Sequence, residues 1–102
     1  MAISQATVAL AGATIYTSSG QSAITAAFFL NDHSSAVALD LHIVKSGQTA
    51  AASNRIIKSL SINAADAYVL DTERLLLENG DFLYASADVD NVVYTTISYI
   101  GV

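Results

Sequence analysis

Asp40 and His42 stand two residues apart in the alternating run Val37 to Val44, so on an extended chain both project from the same side. A carboxylate beside an imidazole is the pairing that orients a general base, and a serine within reach would complete a nucleophilic site. The chain holds no Gly-x-Ser-x-Gly elbow to position such a serine. The pair therefore reads as the hydrophilic face of a strand. His33 falls in the turn Asn31-Asp32-His33-Ser34-Ser35, whose ligand atoms are too few for a zinc site. Asp88-Val89-Asp90-Asn91 groups oxygens of the kind a calcium ion prefers, yet it lacks the glycine and distal glutamate of an EF-hand and reads as a turn. Asp71-Thr72-Glu73-Arg74 is expected to pair charges internally, at little gain on an exposed surface. No catalytic residue, metal ligand or cofactor is assigned, and the chain is not expected to be an enzyme.

Composition narrows the field from another side. The 102 residues suit one domain whose folding can bury roughly two-thirds of the unfolded surface. With neither cysteine nor proline, the fold has no disulfides, and its turns fall to Gly, Asn, Asp and Ser. Lys45, Arg55, Lys58 and Arg74 are scattered against nine acidic residues, a net charge of −5 that argues against nucleic acid and anionic membranes. Only 13% of residues are charged while 53% are apolar, about half the usual charge share for a soluble domain. That imbalance points to oligomerisation or docking. No apolar run approaches a membrane span, and Met-Ala-Ile-Ser-Gln lacks the features of a secretion signal, so assembly in the cytoplasm is expected.

The elements that would carry these residues are short apolar runs separated by turn clusters. Ala6 to Leu10 and Ala13 to Tyr16 form a strand interrupted near Gly12, and residues 1–5 are expected to be a flexible arm. Ala23 to Leu30 places Ile24, Ala26, Phe28 and Leu30 on one face. Val37, Leu39, Leu41 and Ile43 face inward on the next strand. Ser46 to Asn54 is a loop of small residues, then Arg55 to Ile62 and Ala67 to Asp71 are strands. Asn79-Gly80 suits a type I′ hairpin turn, Asp88 to Asn91 makes another turn, and Val92 to Ile100 closes the chain. Seven or eight short strands at this spacing define an all-β fold: a single antiparallel β-sandwich or jelly-roll-like domain over residues 1–102.

A helical alternative exists for Asn63 to Gly80, with Asn63 as N-cap, Asp66 at N3 and Gly80 at C′. Ile56, Ile57 and Leu60 share that spacing. Against it, Tyr68-Val69-Leu70 and Leu75-Leu76-Leu77 fill the supposed polar side, between plainly β neighbours.

Both faces of the last strands are apolar or aromatic. Leu83 and Ala85 share one face and Phe82 and Tyr84 the other; Val93, Thr95 and Ile97 oppose Val92, Tyr94 and Thr96. With the aliphatic set inside, Phe82, Tyr84, Val92 and Tyr94 are expected to form one aromatic interface on the outer sheet face. On that reading Phe82→Asp disperses an assembly and leaves the monomer folded.

Several segments resemble small virion structural proteins of tailed bacteriophages, of the marine and cyanobacterial type. They are Thr14 to Thr25, Phe29-Leu30-Asn31, Val37 to Val44, Tyr68 to Asp81 and Val92 to Ile100. The sharpest elements are Leu70-Asp71-Thr72-Glu73-Arg74, the Leu77-x-x-Gly80-Asp81 turn and Ser98-Tyr99-Ile100. The resemblance implies a non-enzymatic part of a virion, assembled in the host cytoplasm. Its first placement is a capsid decoration (cement) protein that binds the major capsid protein and self-associates as a small cyclic oligomer. The alternative is a tail, neck, baseplate or fibre component. In that case Tyr16, Tyr68 and Tyr99 are candidates for stacking on a host glycan.

Overall fold

The computed structural model describes residues 2–71 and 75–101. Among the described residues nine strands make two antiparallel sheets. They are β1 (Ala2–Val8), β2 (Ala13–Thr17), β3 (Ser22–Asn31), β4 (Val37–Val44), β5 (Arg55–Ile62), β6 (Ala67–Leu70), β7 (Leu75–Leu77), β8 (Phe82–Ala87) and β9 (Val93–Gly101). One sheet runs β1-β9-β3-β6, with β7 also paired to β3, and the other runs β2-β8-β4-β5. The pairings are nested: β1 with β9, β2 with β8, β3 with β6 and β7, β4 with β5. That is one long antiparallel hairpin rolled up so that alternate pairs fall in opposite sheets, a jelly roll.

The core lies between the sheets and follows the period-2 pattern. Leu39 and Leu41 on β4, Leu83 and Ala85 on β8, Val93 and Ile97 on β9, and Phe29 on β3 are all completely buried. Asn31 is the polar exception, also wholly buried. Its Nδ2 lies 2.9–3.2 Å from the carbonyl oxygens of Ser35, Ile62 and Asn63, and its Oδ1 accepts from the His33 N–H. One amide thus ties together backbone groups from the turn after β3 and from the end of β5.

Several local expectations change. Ala6 to Leu10 and Ala13 to Tyr16 are not one interrupted strand: the Ala9–Gly12 turn carries the chain from one sheet to the other. Gly12, at φ +100°, sits where any Cβ would collide with the Tyr84 ring. Residues 2–5 are not a loose arm but part of β1, in unbroken register with β9 from Ala2–Tyr99 to Val8–Val93. The segment from Asn63 to Gly80 holds β6 and β7 rather than a helix; residues 72–74, with their expected ion pairing, lie outside the described residues. Nor is Asn79-Gly80 a type I′ hairpin. Only Gly80 has positive φ, at the third position of a turn closed by Asp81 N–H to Glu78 C=O, as in type II. The reason is topological: β7 and β8 belong to different sheets, so the turn bridges layers instead of joining paired strands.

Candidate functional site

Each sheet turns one face to the core and one outward, and the two outward faces differ in chemistry. On the β1-β9-β3-β6 sheet, Thr7, Tyr94, Leu30 and Ala67 form one cross-strand row, and Gln5, Thr96, Phe28 and Val69 the next. Ile3, Ser98 and Ala26 follow, and Leu76 lies beyond beside Ala23 and Ile100. None of these is Asp, Glu, Lys, Arg or His. Of the eight large hydrophobic residues exposed among those described, six stand on this face: Ile3, Phe28, Leu30, Val69, Leu76 and Tyr94. Leu76 is 75% exposed and Ile3 66%. Exposed apolar clusters of this kind are the type of surface found at protein interfaces.

The local sequence explains the arrangement. β3 is the central strand of its sheet, and Ala26-Ala27-Phe28-Phe29-Leu30 supplies apolar side chains to both sides in turn. A register shift between Ile24 and Ala26 moves Ile24 inward, while Ala26, Phe28 and Leu30 stay outward. The expected single stripe of Ile24, Ala26, Phe28 and Leu30 is thus broken at its first member.

The opposite outer face is occupied by its own chain. Thr14, Tyr84, His42 and Arg55 form a row across β2, β8, β4 and β5. The loop after β4 folds over it. His42 is only 7% exposed, with Nδ1 3.0 Å from the Ala51 carbonyl and 2.9 Å from Asn54 Oδ1. Tyr84 meets the His42 ring edge-on at 5.9 Å and donates its hydroxyl to the Ala11 carbonyl at 3.0 Å. Asp40 Oδ1 accepts from the Ser59 N–H, and Oδ2 lies 3.5 Å from Arg55. Asp40 and His42 share a face as expected, but each is committed to backbone or loop partners and not to the other.

The four residues expected to form one interface are therefore divided. Phe82 and Tyr84 lie on the outer side of β8, half-buried beside the 45–54 loop. Tyr94 lies on the uncharged face of the other sheet, and Val92 packs against the core at the entry to β9. Strands adjacent in sequence, β8 and β9, sit in different sheets, so their outward residues look in opposite directions. Phe28, Leu30, Val69 and Leu76 were missed as surface residues. The signal was the unbroken apolar run of β3, which no two-layer sandwich can bury on both sides.

The remaining candidates resolve into structure. Asp88 Oδ1 accepts from the Ala38 N–H and Asp90 Oδ1 from the Leu10 N–H, both at 2.9 Å, so these carboxylates pin loops. Among the described residues no three His, Asp or Glu side chains converge to hold a metal ion. Asp81 accepts from the Ser46 and Glu78 N–H groups, which hold its pKa below the ordinary 3.8. The tyrosines considered for sugar stacking are turned inward. Tyr16 is buried against Tyr99 at 4.6 Å and donates to Ser22, and Tyr68 packs on Phe29. No described helix is long and apolar enough to cross a membrane.

A jelly-roll sandwich with one uncharged apolar outer face is the class this chain defines. No family model matches it, and searches of curated proteins and of solved structures returned no match.

Proposed function

We propose that this protein is a non-enzymatic assembly module of a tailed-bacteriophage particle, most simply a capsid decoration protein. It docks on neighbouring major capsid subunits through the outer face of the β1-β9-β3-β6 sheet. The observation that carries the reading is that the described cross-strand rows of that face hold no charged side chain, with Phe28, Leu30, Val69, Leu76 and Tyr94 exposed on it. The phage setting rests on the sequence resemblance alone. Removing such a face from water favours association at roughly 25 cal/mol per Å² of apolar surface, before the costs of ordering. A module that binds only the assembled shell stabilises that shell by mass action. Self-association as a small cyclic oligomer fits the same role, because shells offer symmetry axes.

The test is copy number in purified particles, by quantitative mass spectrometry against the major capsid protein. A count comparable with the capsid protein supports decoration. A count lower by one to two orders of magnitude moves the module to the tail or neck, and absence from particles overturns the virion reading.

A further inference from the structure

We infer that β1 is a homotypic docking edge, pairing antiparallel with β1 of a second copy to join two sheets into one. Four edges close the two sheets, and three are unsuited to another strand. β2 is five residues long with a register shift between Thr14 and Tyr16. β5 has two register shifts, a left-handed Ser59 at φ 52°, and Arg55 and Lys58. The far edge of the other sheet is split between β6 and β7, four and three residues long. Shifts, charges and short pieces are the devices that keep sheet edges apart.

β1 has none of them. It is seven residues, Ala2-Ile3-Ser4-Gln5-Ala6-Thr7-Val8, in unbroken register with β9. Ala2, Ile3, Gln5 and Thr7 are exposed. Among the described residues, the hydrogen bonds reaching its backbone from outside the ladder come from Thr95 and Asn91, both on the β9 side. β2 of the other sheet runs close beside it after the Ala9–Gly12 turn but makes no ladder with it, so the N–H and C=O groups on that side have no strand partner among the described residues.

The occupant is a second copy because β1 is complementary to itself. Antiparallel pairing centred on Gln5 sets that residue against its own counterpart, Ser4 against Ala6, Ile3 against Thr7, and Ala2 against Val8. No like charges meet, although each copy carries a net charge of −5. Ile3 and Thr7 form a β-branched cross-strand pair on the outer face. Ser4 and Ala6 are small, which lets the two sandwiches approach. Pairing also doubles the width of the uncharged face. The inference therefore deepens the self-association part of the proposed function while standing apart from the capsid contact. Seven residues a side is about a third of a standard interface, so the free dimer is of micromolar order and gains avidity when both copies sit on one particle.

The experiment is a charge-swap on the full chain. Sedimentation equilibrium at about 100 μM, a concentration suited to so small a joint, should give a dimer for the wild type. Gln5→Lys and Gln5→Glu alone should each weaken dimerisation at least about tenfold. An equimolar mixture should restore it, as a heterodimer seen by native mass spectrometry. Circular dichroism verifies the fold, and Thr7→Lys with Ile3→Glu serves if either Gln5 variant unfolds. A monomeric wild type, or single variants that dimerise undiminished, overturns the inference. Binding of wild type and Gln5 variants to purified capsids reports separately on the outer face: capsid binding without dimerisation sinks only the edge pairing, and dimerisation without capsid binding sinks only the docking.

Discussion

The two outer faces of this sandwich are made by the same strand periodicity and serve opposite ends. On the β2-β8-β4-β5 side, outward residues are tied down by the chain itself: His42 to Ala51 and Asn54 of the loop after β4, Tyr84 to Ala11 of the β1–β2 turn, Asp40 to Ser59 of β5. On the β1-β9-β3-β6 side, Phe28, Leu30, Val69 and Leu76 have no such cover and remain exposed. The lesson is that an outward position on a strand does not by itself mean a solvent-facing one. Polar residues on one face became structural, and apolar residues on the other stayed exposed.

Tyr84→Ala should break the covered face most severely. It removes a half-buried aromatic, its hydrogen bond to Ala11 and its contact over Gly12, at a cost of about 3 kcal/mol measured by urea unfolding. Tyr84→Phe should cost only about 1 kcal/mol, since the packing stays.

The uncovered face should answer the other way. Phe28→Thr combined with Leu30→Thr keeps strand propensity and should change unfolding stability by less than about 1 kcal/mol. Association with capsids should nonetheless fall by roughly 2 kcal/mol, about thirtyfold, in a pull-down titration. Equal losses in stability and binding would mean that these side chains act in the fold and not in docking.

Asp81 offers a pH test where the loops of both sheets meet. Its folded-state pKa lies below 3.8, so its contribution is complete above that value and is lost as pH falls through the folded pKa. Asp81→Asn should destabilise by less than about 1 kcal/mol at pH 6. The gap from wild type should close in strong acid, as followed by thermal melts across pH. Arg55→Gln should have the smallest effect, below about 0.5 kcal/mol, because its 3.5 Å ion pair with Asp40 is partly solvated.

Much of the fold was legible in advance. The alternation of β4 announced Leu39 and Leu41 as core, and Leu83, Ala85, Val93 and Ile97 faced inward as their spacing requires. The register of β1 was not legible. Ala2 to Gln5 carry too few large apolar residues to announce a strand, and pairing with Tyr99 to Thr96, at the other end of the chain, gives them their order. The exposed apolar surface was half legible: the low charge count and two-sided apolar strands announced an excess of it, while Phe82, Tyr84, Val92 and Tyr94 were grouped by nearness in sequence and fall on different sides of the sandwich.

Local alternation and turn chemistry act over a few residues, and so the sequence alone determined strand existence, inward sets and the excess of apolar surface. Which sheet each strand joins depends on closing contacts across the whole chain, from β1 with β9 to β4 with β5. Only that closure decided that β8 and β9 face opposite ways, that a loop buries His42, and that the uncharged residues of five strands gather on one side.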